Sequence, residues 1–309
     1  MRDAFIDELT ALAQGDPRIV VLSADIGNRM FDKFRAAFPD RFINTGIAEA
    51  NMTGIAAGLA MAGLRPFTYT IAAFNPGRCI EQIRLDVCQH NLPVTVVGVG
   101  AGLSYASLGP THHALEDIAW MRTLPNMIVT CPSDSFEVRG AIHAALAQNG
   151  PVYLRLGKKG EPVIHKEKPV FRFGESLKVK AGTDAAILAV GTTLAAAVTA
   201  AEMLDQAGIS TAVYSFHTVK PLDELLLTRL FAADGAKRII ALEEHSAIGG
   251  ARSAIAEWLA DHGGTHVPFL HFAAPDAFLH EAGNREWVSR RIGIDARAIA
   301  NKIAHSWTR

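Results

Sequence analysis

Val94-Thr95-Val96-Val97-Gly98-Val99 is a short run of β-branched and apolar residues with no alternating polar face. A strand written this way is buried on both sides, as parallel strands covered by helices are. The same signal recurs on either side of it. Ile19-Val20-Val21-Leu22 lies upstream and Met127-Ile128-Val129-Thr130 downstream, with helix-like stretches at residues 49–62 and 135–148. This alternation predicts an α/β fold on a parallel sheet. From about residue 158 to 182 the chain becomes rich in Lys, Glu, Pro and Gly and loses any helical period, so it reads as a linker with a few extended residues. Beyond it the rhythm restarts, with strands at 185–190, 211–214 and 238–242 and an Ala-rich helix through Met203-Leu204. Two α/β domains are therefore expected, 1–170 and 171–309.

The bulk properties agree. A chain of 309 residues suits two domains, and 49% hydrophobic with 20% charged residues is an ordinary globular composition. A net charge of −1 gives no general field for nucleic acid or an anionic membrane. Cys79, Cys88 and Cys131 form no C-x-x-C pair and are odd in number, which disfavours a disulfide framework or a zinc site and favours a reducing cytoplasm. The opening residues Met1 to Glu8 carry acids where a signal peptide needs an apolar run. The Ala-rich stretches are broken before the ~18 residues that a membrane span requires.

Three segments carry candidate chemistry. In Asn44-Thr45-Gly46-Ile47-Ala48-Glu49-Ala50-Asn51-Met52 a strand-like approach turns at Gly46 into a small-residue helix. Glu49 sits in the first turn, where a carboxylate is favoured by the exposed N–H groups, and many helices carry an acid there for that reason alone. In Ser107-Leu108-Gly109-Pro110-Thr111-His112-His113 a tight turn precedes two histidines. Imidazoles suit proton transfer near neutrality, although hydrogen-bonded loop histidines would look the same. Adjacent histidines rarely converge on one metal, and no third ligand has suitable spacing. In Phe67-Thr68-Tyr69-Thr70-Ile71-Ala72-Ala73-Phe74-Asn75-Pro76-Gly77-Arg78 aromatics cluster before a helix start, where core packing is their commoner fate.

Taken in order, Ser23-Ala24-Asp25, Gly46-Ile47-Ala48-Glu49, the aromatic stretch ending at Phe74, Gly109-Pro110-Thr111-His112, Leu124-Pro125-Asn126-Met127 and Pro132-Ser133-Asp134 resemble the pyrimidine-binding domain of the transketolase family. Glu243-Glu244-His245 and Gly249-Gly250 resemble its C-terminal domain, so the likeness runs the length of the chain. The resemblance implies a transferase that moves a two-carbon ketol unit between sugars with thiamine diphosphate. It implies that Glu49 acts on N1′ of the aminopyrimidine, that Phe74 stacks on that ring, that Ile47 lines its pocket and that Asp25 lies near the cofactor. His112 would lie near the reacting carbonyl, and His113 beside it would contact substrate. Arg2 and Lys158 match substrate-contacting arginines, with Lys158 lacking the planar fork; Arg29 and Arg78 are further basic candidates.

The same family has a diphosphate-binding domain marked by Gly-Asp-Gly and a distal Asn. Gly15-Asp16-Pro17 is not that motif. The magnesium ligands are therefore expected from a separate N-terminal transketolase subunit, in a 2+2 heterotetramer. The family's acids before Gly-Pro-Thr-His are here Ser107 and Leu108, and an upstream histidine is replaced by Gly100. This predicts a sugar phosphate that differs from the standard pentose and hexose phosphates. The competing readings are a deoxyxylulose-phosphate synthase, the β subunit of a 2-oxoacid dehydrogenase decarboxylating component, and a non-catalytic scaffolding or regulatory subunit.

Overall fold

The computed structural model describes residues 1–263, 267–280 and 283–307. The strands are β1 (Ile19–Ser23), β2 (Phe42–Asn44), β3 (Arg65–Ile71), β4 (Thr95–Val99), β5 (Ile128–Thr130), β6 (Val152–Leu156), β7 (Leu177–Lys180), β8 (Ala185–Ala189), β9 (Thr211–Ser215), β10 (Thr218–Lys220), β11 (Arg238–Ser246) and β12 (Phe269–Ala274). They form a seven-stranded sheet, β10-β5-β6-β4-β3-β1-β2, and a five-stranded sheet, β12-β11-β8-β9-β7. Both are parallel except at one edge each, where β10 runs against β5 and β7 against β9. The chain is thus α/β with two parallel-dominated sheets, as the apolar runs required.

Every residue of β1, β4, β6, β8 and β9 is buried. In the first sheet Val21, Tyr69, Val97 and Leu154 face a core completed by helices Arg2–Gly15 and Ser135–Ala147. Val20, Leu22, Val96 and Tyr153 face the opposite core, against helix Glu49–Met61. Each fully buried aliphatic side chain contributes about 1.5–3 kcal/mol, so a continuous apolar run is stable only with helices on both sides.

Two segments take a more definite form than the sequence alone implied. The aromatic stretch begins as strand β3, with Phe67 and Tyr69 turned onto Phe5 of the first helix; the Phe5 and Tyr69 rings stack at 5.8 Å. The 158–182 region contains β7 and an isolated bridge between Arg172 and Glu175. As an edge strand β7 is only half-buried, which explains its polar sequence.

The two halves share structure. β10 comes from the second half of the chain yet extends the first sheet, and the His217 carbonyl beside it accepts from Cys131 N–H (2.6 Å) and Thr130 Oγ1 (3.0 Å). Val96 and Val129 of the first sheet lie in one core with Leu188 and Tyr214 of the second. Cys79, Cys88 and Cys131 are all buried and unpaired. No helix among the described residues is long and apolar enough to cross a membrane.

Candidate functional site at the C-terminal edge of the first sheet

Most of the candidate residues sit on loops that leave the C-terminal ends of β1, β2, β3, β4 and β6. In open parallel sheets the ligand crevice lies beyond those ends, where strand order reverses. Here the order β4-β3-β1-β2 places the reversal between β1 and β3. Helix Arg2–Gly15 leads into β1, so Arg2 lies at the same edge.

The turn after β2 is built by Asn44. Its Oδ1 accepts from the N–H groups of Gly46 (3.0 Å) and Asp25 (3.2 Å), and its Nδ2 donates to Asp25 Oδ1 (2.9 Å). Gly46, at φ 70°, takes the left-handed conformation that glycine adopts at least cost. The chain then projects Ile47 outward, 77% exposed, before Glu49 opens its helix. The Glu49 side chain is 5% exposed, and both its carboxylate oxygens lie 3.1 Å from Nη1 of Arg78.

Phe74 follows β3 and caps a helical turn, Asn75–Arg78. Asn75 is fully buried and donates to Thr68 Oγ1 of β3 (3.3 Å), which ties the turn to the sheet. The Arg78 guanidinium lies 4.7 Å from the Phe74 ring centre. The His112 ring meets Phe74 edge-on at 5.2 Å, and its Nδ1 shares a hydrogen bond with Thr111 Oγ1 (2.9 Å). Burial, reinforced by the neighbouring His113, pulls the His112 pKa below its usual 6.5, so the ring is neutral at pH 7. His113 is buried, with Nε2 3.4 Å from the Ala106 carbonyl, and its Nδ1 makes no hydrogen bond among the described residues.

Tyr105 stands 6.1 Å from His112 and carries the Lys158 ammonium 4.5 Å over its ring. That ring fills the space in front of Gly100, so any side chain there would overlap it. The charge of Arg2 reaches Tyr105, and Arg2 Nε is buried without a hydrogen bond among the described residues. Glu49, Arg78, Phe74, His112, Tyr105 and Lys158 therefore form one continuous line of contacts. Asp25 stands apart from that line, bonded to Asn44, and shares a shallow cleft of about 250 Å³ with Arg29. A larger cleft of about 680 Å³ lies in the second half against Thr192, Met203, Glu244 and Arg285 and touches none of these residues.

Some supporting residues were given no role at the site from the sequence. Arg155 is fully buried on β6, donates through Nε to Asp117 Oδ2 (2.7 Å) and through Nη2 to the carbonyls of Ala114 (2.7 Å) and Glu244 (3.0 Å). Glu244 in turn accepts from the Leu103 N–H (3.1 Å) and from Arg285 Nε (2.6 Å). Together they pin both ends of the loop that carries His112. An arginine inside the otherwise apolar Val152-Tyr153-Leu154-Arg155-Leu156 was the available signal. Among the described residues no group of three or more His, Cys, Asp or Glu could hold a metal ion.

Comparison with known proteins places the chain in a family. The transketolase pyrimidine-binding domain family matches residues 1–161, and the transketolase C-terminal domain family matches residues 174–299. The 6-deoxy-6-sulfo-D-fructose transketolase subunit SqwH of Clostridium sp. (strain MSTE9) is 38% identical over 309 residues, 100% of this chain and 94% of that protein. A subunit of the apulose-4-phosphate transketolase of Actinobacillus succinogenes is 34% identical over 293 residues, 95% of this chain and 93% of that protein. Among solved structures, a split-gene transketolase described as an inactive beta4 tetramer superposes with a TM-score of 0.90 at 37% identity, covering 99% of this chain and 98% of that one.

Proposed function

Because this chain belongs to the transketolase family, we propose that it is one subunit of a thiamine-diphosphate-dependent transketolase, active with a separate subunit that binds the diphosphate and its magnesium. The observation that carries this reading is the buried Glu49 carboxylate, joined through Arg78 to the Phe74 ring, which in turn meets the neutral His112. A carboxyl group and an aromatic face suit the edge and the plane of an aminopyrimidine. The residues present fit that end of the cofactor. The diphosphate end requires a metal-binding motif that the sequence does not contain, and two relatives named as subunits, together with a split-gene homologue, support a partner that holds it. We place the domain boundary near residue 170 and the assembly as 2+2. The three buried free thiols suit a reducing cytoplasm.

Bound at this edge, thiamine diphosphate supplies a nucleophilic carbon that can attack a ketose carbonyl. Glu49 holds a proton or a strong hydrogen bond at N1′ of the aminopyrimidine. Phe74 supports the plane of the ring, and the exposed Ile47 closes over it with the partner. His112, with His113 fixing the loop behind it, moves a proton at the carbonyl oxygen of the substrate. Arg2 and Lys158 hold the anionic terminus of the sugar, and Asp25 orders the Asn44 turn next to the cofactor.

Leu108 is 54% exposed at the mouth of this edge. A leucine accepts no hydrogen bond, and a sugar hydroxyl buried against it in the assembled site costs about 1–3 kcal/mol. We therefore propose a ketose that departs from the common pentose and hexose phosphates, as the substrates in the two relatives' names do. The test is a donor–acceptor panel on the chain reconstituted with a subunit carrying Gly-Asp-Gly. Ketol transfer favouring a modified sugar is expected. Preference for xylulose 5-phosphate and ribose 5-phosphate would remove the Leu108 argument, and CO2 release from a 2-oxoacid would remove the transketolase reading.

A further inference from the structure

We propose that the guanidinium of Arg78 occupies the aminopyrimidine seat in the free chain and that the cofactor must displace it to reach Glu49. This rests on the cofactor reading above and goes beyond it. The guanidinium makes the two contacts that reading gives to the aminopyrimidine. Its edge donates to both Glu49 oxygens at 3.1 Å, and its plane lies 4.7 Å from the Phe74 ring centre. An aminopyrimidine presents similar chemistry, a flat conjugated ring with nitrogen groups along one edge. The two cannot share Glu49 and the face of Phe74 at once.

The burial asymmetry says which group yields. The Glu49 side chain is 5% exposed and fixed in a helical turn, whereas Arg78 is 53% exposed. Behind Arg78 the backbone is held, since buried Asn75 bonds to Thr68. The guanidinium can therefore leave by rotating its own side chain into water while the turn stays in place. Until then it gives the buried carboxylate a counter-charge that solvent cannot supply. A lysine would provide charge without the planar fork, so arginine is the better substitute for a flat ring.

The test uses the free full-length chain and the aminopyrimidine fragment 4-amino-5-hydroxymethyl-2-methylpyrimidine, with binding read by ligand-observed NMR and by thermal shift. Arg78→Met keeps the apolar stem and removes the planar cation. It is expected to bind the fragment about tenfold more tightly than the parent, because one half-exposed ion pair and one cation–π contact no longer compete. Arg78→Lys should fall between the two. Adding Glu49→Gln to Arg78→Met should abolish the gain. Equal affinity in parent and Arg78→Met overturns the proposal, even if Glu49 proves essential. Failure of every variant to bind the fragment overturns the proposal by removing the cofactor reading beneath it. Arg78→Gln, which retains a polar side chain, repeats the comparison if the methionine variant folds poorly.

Discussion

Glu49 is a carboxylate with almost no access to water, placed where a helix begins. Replacing it with alanine should leave the fold intact, because the first turn tolerates alanine and Arg78 is free to turn to solvent. In the reconstituted complex, hydrogen–deuterium exchange at C2 of the cofactor should slow by about 10²–10⁴-fold, the scale of losing a key acid–base group. Exchange at the parental rate would reduce Glu49 to an ordinary helix-start acid. His112 makes a different prediction. Its lowered pKa keeps the imidazole neutral down to some point below pH 6.5, so the acid limb of the rate profile should lie below that value and disappear in His112→Gln. These two residues were legible in the sequence because each sits beside a turn with its own local signature, Gly46 and Gly109-Pro110. Arg78 as the partner of Glu49 was not legible. The two are 29 residues apart, and no periodicity reports a contact between different loops.

At the scale of elements, the loop bearing His112 is held by buried charge. Arg155→Met would leave Asp117 fully buried without its guanidinium, a change that typically costs about 3–5 kcal/mol and is measurable by denaturant unfolding. Loss of activity without loss of stability would contradict this. A second device joins helix Ser135–Ala147 to the segment before β7, where His165 Nε2 lies 2.6 Å from Glu137 Oε1. Burial opposes charge on Glu137, but the His165 hydrogen bond and the His217 charge outweigh it and lower its pKa from 4.5. Burial also opposes charge on His165, and the Glu137 carboxylate outweighs it and raises its pKa from 6.5. The Glu137 contribution is present above pH 4.5 and lost as pH falls through its lowered value. The His165 contribution is present below pH 6.5 and lost as pH rises through its raised value. The pair therefore stabilises most between about pH 4.5 and 6.5, and His165→Gln should flatten the decline in melting temperature above pH 6.5. An unchanged slope would show that other groups set it. β1, β4, β5, β8, β9 and β11 were legible because burial on both faces writes itself as apolar runs. β3 was obscured by Pro66, which argues against a central strand, β6 by Arg155 within its apolar run, β10 by its brevity, and β7 by the polar composition of an edge.

For the whole molecule, the chain alone should show no ketol transfer, and mixing it with the diphosphate-binding subunit should create activity together with a larger species by light scattering. Robust turnover by this polypeptide free of any partner would end the two-subunit reading. The chain's own two halves are bound differently. β10 is supplied to the first sheet by the second half, and a single core runs through both. The exposed Lys166-Glu167-Lys168 stretch is the natural place for a protease to cut. A cut there breaks one peptide bond and leaves the sheet and the core untouched. The nicked protein should therefore elute as one particle and separate only in denaturant. The same two fragments, expressed from separate genes, should find each other and rebuild the fold, whereas the first fragment alone, with the edge of β5 unpaired, should aggregate.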